Sequence, residues 1–142
     1  MKRHTALYCL TVLLVTVLII LSGCFSNRFK DITKSPQSYT HLIVRNLNKG
    51  VELKNIYMTP SKRYPNNFYI AGELFGKHMS GTVAGVWIIE GTSPPSRPLS
   101  VNQAAIAFSG CIPIDKILRA ARLSSNTEAR HLLTYIEGRH YR

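Results

Sequence analysis

Phe68-Tyr69-Ile70-Ala71-Gly72-Glu73-Leu74-Phe75 and Thr82-Val83-Ala84-Gly85-Val86-Trp87-Ile88-Ile89-Glu90 are the two stretches whose reading decides the fold. Both are rich in β-branched and aromatic residues. Both repeat at period two, so Phe68, Ile70 and Leu74 share one face of a strand, as do Val83, Trp87 and Ile89. Gly76-Lys77-His78-Met79-Ser80-Gly81 separates them as a turn bounded by glycines, and the pair reads as a hairpin. Gly72 and Gly85 interrupt the strands, which points to bulges or close approach of another chain segment. Trp87, the one tryptophan, is the leading core anchor.

Outward from this hairpin, Thr40-His41-Leu42-Ile43-Val44-Arg45-Asn46-Leu47 and Val51-Glu52-Leu53-Lys54-Asn55-Ile56-Tyr57-Met58-Thr59 flank Asn48-Lys49-Gly50. Asn and Gly accept positive φ cheaply, so a first hairpin is expected here, followed by a loop over 60–67. Downstream, the three prolines of Thr92-Ser93-Pro94-Pro95-Ser96-Arg97-Pro98-Leu99-Ser100 mark a stiff connector rather than a strand interior. Residues 102–112 are expected to hold a buried strand around Ala104-Ala105-Ile106-Ala107-Phe108, with a short helix as the alternative. The C-terminal region is helical by pattern. Ile114, Ile117, Leu118 and Ala121 recur at helical spacing after Pro113. Ser125-Asn126-Thr127-Glu128 fits a capping box before the stripe Ala129, Leu132, Leu133 and Ile136. The expected fold class is α+β: a small antiparallel sheet of four or five strands with two C-terminal helices packed on a face.

The N-terminus is of another kind. Met1-Lys2-Arg3-His4 is basic, and residues 6–21 are apolar without a charge. A basic start followed by an apolar helix is the pattern of a secretory signal peptide. The run closes on Leu21-Ser22-Gly23-Cys24, which resembles a bacterial lipobox. That resemblance covers residues 1–24. It implies that the Cys24 thiol receives a diacylglycerol, that the bond between Gly23 and Cys24 is cut, and that the new amino group is acylated, typically by palmitate. The implied organisation is a lipoprotein signal peptide over 1–23, lipidated Cys24 and a tether over 24–39, and one α+β domain over 40–142. Fifteen tether residues would reach at most about 50 Å. Each buried methylene contributes about 0.8 kcal/mol, so more than one acyl chain anchors stably. In Gram-negative lipoproteins an Asp after the Cys commonly retains the protein in the inner membrane. Phe25 stands there, so the resemblance implies the periplasmic side of the outer membrane where the cell has one. An uncleaved helix over residues 6–23 is the alternative anchor.

The whole chain of 142 residues carries 18 Lys+Arg against 7 Asp+Glu. Cleavage would remove Lys2 and Arg3 and leave 119 residues with a formal net charge of +9. The remaining cations are spread out, without the dense block of a nucleic-acid patch, so nucleic acid is not an expected partner. Such a spread reads first as plain solvated surface, with attraction to anionic lipid or an envelope polymer as the alternative. Cys9 leaves with the signal peptide and Cys24 takes lipid. Cys111 then remains as a lone thiol in an apolar setting, read as a buried structural Cys, with a bridge to another chain or a reactive thiol as the alternatives.

Chemistry-bearing patterns are sparse. His41, His78, His131 and His140 share no metal-ligand spacing with one another, with Cys111 or with a carboxylate, so neither metal nor cofactor is expected. Glu73 and Glu90 sit on the two strands of the second hairpin, but at different heights, which suits a glycosidase pair poorly. The chain has no nucleophile elbow, phosphate loop or dinucleotide fingerprint. No catalytic residue is assigned. The expected function is a non-catalytic envelope lipoprotein, a binding or assembly accessory module held to the membrane by lipid, with a protein partner in the envelope. The alternatives are an envelope hydrolase without a recognisable motif and a secretion-system or surface-exclusion lipoprotein.

Overall fold

The period-two pattern of residues 68–89 is realised as the two central strands of a sheet. The computed structural model describes residues 29–77, 79, 81–92, 95–116 and 127–139. The chain divides into two compact units, Met1–Lys30 and Asp31–Arg142. Gly23 and Cys24, the expected cleavage and lipidation positions, lie outside the described residues.

The second unit is α+β. In chain order it contains β1 (Thr33–Lys34), α1 (Gln37–Val44), β2 (Val51–Pro60), β3 (Asn67–Gly76), β4 (Val83–Glu90), β5 (Leu99–Ser100), α2 (Gln103–Phe108), β6 (Ile112–Pro113), a 3-10 turn (Ile114–Lys116) and α3 (Thr127–Gly138). The six strands lie side by side in sequence order. All neighbours are antiparallel except β5 and β6, which run parallel with α2 as their crossover. The sheet exceeds the expected four or five strands because β1, β5 and β6 have two residues each, too few to show a periodicity.

Register confirms the face assignment of the central hairpin. Ile70 lies opposite Trp87, Gly72 opposite Gly85 and Leu74 opposite Val83. This face, with Met58, Ile43, Ala105 and Cys111, makes one core, covered by α1 and α2. Tyr57, Tyr69, Ala71, Val86 and Ile88 point the other way and pack against Ala129, Leu132 and Ile136 of α3. Helices therefore cover both faces of the sheet, whereas the sequence suggested one. Trp87 is fully buried. A Cβ on Gly85 would sit 2.3 Å from its Cη2, so the strand glycine leaves room for the indole to lie along its own strand.

The expected first hairpin does not form. Residues 37–44 are α1, and β2 pairs with β3 instead. The apolar residues Tyr39, Ile43 and Leu47 recur at i, i+4 and i+8, a helical stripe that local β-branching disguised. Asn46 closes the helix by donating its amide to Leu42 O at 2.7 Å. The turn at Asn48-Lys49-Gly50 exists, with Gly50 at φ +84°, but it joins a helix to a strand. The segment expected to end a tether at residue 39 carries β1 and the start of α1.

The strand expected around Ala104 is also a helix. Asn102 caps it by accepting from Ala105 N at 3.0 Å, a signal passed over because the run is apolar and only six residues long. Of the two expected C-terminal helices, α3 is present. Ile114–Lys116 forms the 3-10 turn, and residues 117–126, with Ile117, Leu118, Ala121, Ser125 and Asn126, lie outside the described residues. Within 92–100, Leu99 and Ser100 form β5 immediately after the last proline.

Candidate functional site

A concavity lies where two turns meet at one end of the sheet. Val51 opens β2 opposite Gly76, which closes β3, so the turn before β2 and the turn after β3 stand side by side. Gly50 and Gly81, at φ +84° and +91°, let both turns bend in ways an L side chain resists. Between them is a cleft of about 580 Å³ bordered by Lys49, Glu52, Phe75, Lys77 and Met79. Glu52 is already engaged, 3.1 Å from Lys54 Nζ, and Lys54 lies over the Phe75 ring at 5.0 Å. Lys49 and Lys77 therefore leave the cleft net positive. It can attract an anion with a small apolar part; among the described residues its borders supply no hydroxyl or thiol nucleophile paired with a base. The two turns are each visible in the sequence. Their meeting is not, because it depends on β2 pairing forwards with β3.

Cys111 is buried and reduced. Burial pushes its thiol pKa up, against the lowering effects of hydrogen bonds to Ser109 and Ser100 and the charge of Arg97. A thiol held protonated is a weak nucleophile. Around it is a buried polar cluster that the sequence did not reveal. Trp87 Nε1 donates to Ser109 Oγ at 3.3 Å, Ser109 Oγ donates to Ala105 O at 2.6 Å, and Ser100 Oγ lies 3.3 Å from Ser109 Oγ. These bonds tie β4, β5 and the end of α2 together, which is a packing role.

Neither His41 nor His131, the two described histidines, joins this thiol. His41 is exposed on α1, its Nε2 3.4 Å from Gln37 Nε2. His131 belongs to α3, across the sheet from Cys111. His78 and His140 lie outside the described residues. Among the described residues no group of three or more His, Cys, Asp or Glu side chains is placed to hold a metal ion.

The carboxylates are separated as their heights suggested. Glu73 is opposite Ala84 and Glu90 opposite Asn67, six rows apart on β3, or about 20 Å. That is beyond the roughly 5–9.5 Å a glycosidase pair spans. Glu73 is buried and accepts from Asn55 Nδ2 at 2.8 Å. Asn55 reaches it from a bulge in β2, at φ +49°, where Asn55 and Ile56 together oppose Gly72. A second aromatic site closes the other core. Arg139 donates to the hydroxyl of Tyr57 and, at 3.2 Å, to that of Tyr135, and its guanidinium lies 5.0 Å from the Tyr57 ring. Among the described residues no helix is long and apolar enough to cross a membrane. In comparison with family models, curated proteins and solved structures, this chain matches no family model, no curated protein and no solved structure.

Proposed function

We propose that the protein is an envelope lipoprotein, anchored through acylated Cys24, whose folded domain is a non-catalytic binding or assembly module. The observation that carries this reading is Leu21-Ser22-Gly23-Cys24 at the end of an uncharged apolar run behind a basic start. Small residues suit a narrow protease cleft, and the thiol is the nucleophile that takes the diacylglycerol. The folded unit begins at Asp31, seven residues after Cys24, so cleavage before Cys24 leaves it whole. The binding half of the reading is supported by a cationic cleft that can attract an anion and by the burial of the Cys111 thiol. Phe25, in place of an Asp, favours the outer membrane.

Intact-mass measurement of the protein extracted from membranes, combined with labelling by palmitate, tests the anchor. The expected product starts at Cys24 and carries a diacylglycerol and an amide-linked chain. A product retaining residues 1–23, or an unmodified Cys24, overturns it.

A further inference from the structure

We infer that the end of the sheet bearing Lys34, Lys62, Arg63 and Arg97 is a membrane-facing surface that lies against anionic phospholipid. This rests on the anchoring proposed above and adds an orientation to it. Three features meet at this end. First, β1 is antiparallel to β2 with Thr33 opposite Met58, so the chain arrives from the Pro60 end of β2. Second, the loop over 61–66 and residues 91–92 and 95–98 leave the sheet at that same end, joined by Gly91 N donating to Asn66 O. Third, exposed Lys62 and Arg63 occupy the first loop, exposed Arg97 the second, and exposed Lys34 sits on β1. Two exposed carboxylates, Asp31 and Glu90, oppose these four cations.

The length of the connection selects the occupant. Thr33 lies nine residue steps after Cys24, a connection that spans at most about 30 Å even when fully extended. A lipid at Cys24 therefore keeps this end close to the headgroups at high local concentration. Attraction to an anionic surface acts within a Debye length of about 8–10 Å, so the cations nearest the anchor engage first. Lys49 and Lys77 stand at the opposite end of a ten-residue strand, about 30 Å away. The cleft they border then faces the aqueous compartment.

The test places the acylated protein in vesicles of phosphatidylethanolamine with phosphatidylglycerol, or of phosphatidylcholine alone, and follows amide hydrogen exchange. Slower exchange at 61–66 and 95–98 on the anionic vesicles alone, reversed by molar salt, is the expected result. The double variant Lys62→Glu and Arg63→Glu should weaken engagement by at least roughly 30-fold, about fivefold for each cation removed, with repulsion of the two added carboxylates on top. Lys49→Glu with Lys77→Glu should leave the protection unchanged. Equal exchange on both vesicle types, or protection at Lys49, Gly76 and Lys77 instead, overturns the orientation. An intact mass without acyl chains refutes the anchor separately. In that case co-flotation of the unacylated protein with the anionic vesicles, lost in the Lys62→Glu and Arg63→Glu variant, sustains the surface, and absence of co-flotation overturns it.

Discussion

Replacing Asn102 by Ala should destabilise the domain by about 3 kcal/mol, because one side chain serves two elements. Strand β5 pairs with β4 only at Trp87 and Ile88. Val101 N then donates to Val86 O, and beyond that point the Asn102 amide takes over from the backbone. Its Nδ2 donates to Ala84 O at 2.8 Å, and its Oδ1 accepts from Val86 N at 3.0 Å, so it extends the ladder as an extra residue would. The same Oδ1 accepts from Ala105 N and caps α2. Each neutral bond contributes about 1 kcal/mol net, and losing a helix cap costs about as much. For a folded unit near 110 residues this corresponds to a fall of about 10–15 °C in Tm. Asn102→Ser should recover the cap alone. Asn102→Asp keeps the acceptor but turns a carboxylate oxygen toward Ala84 O, so it should fall between wild type and Ala. Denaturant unfolding followed by fluorescence of Trp87, buried and the one tryptophan, measures all three variants. Hydrogen exchange at Val86 N isolates the ladder bond. A stability of Asn102→Ala within about 0.5 kcal/mol of wild type, with Val86 still protected, would refute the double role.

Three further outcomes follow from the packing. Gly85→Ala brings a Cβ to 2.3 Å from Trp87 Cη2 and 3.0 Å from Leu74 Cδ1, and should cost about 1–3 kcal/mol with a shifted tryptophan emission; an unchanged spectrum and midpoint would contradict the close approach. Cys111 should resist alkylation at neutral pH and react once the protein unfolds. Its folded pKa is raised, so the stability it contributes is complete below the ordinary thiol pKa and is lost as pH rises through the raised value; fast labelling of the native protein would count against this. Tyr57→Phe removes the hydroxyl that accepts from Arg139 while keeping the edge-to-face contact with Tyr135 at 5.1 Å between ring centroids. Thermal unfolding should show a loss of about 1 kcal/mol, and Arg139→Gln combined with it should add less than its separate effect.

The proposed anchor and the centre of the sheet both rest on local order in the chain. Residues 1–24 carry a basic start, an uncharged apolar run and Leu21-Ser22-Gly23-Cys24 in succession, and membrane partition responds to that linear pattern directly. The faces of β3 and β4 were legible because side chains in a strand alternate strictly, and Trp87 and Ile70 obey that rule wherever the strands are placed. Tertiary structure decided the rest. Whether 37–44 became strand or helix depended on the partner available to β2, and β3 took the pairing that α1 could not. Whether 103–108 became helix depended on an Asn102 side chain also bonded to another strand. The cationic cleft and the basic loop end bring together residues distant in sequence, and a period along the chain carries no information about which turns a sheet will set side by side.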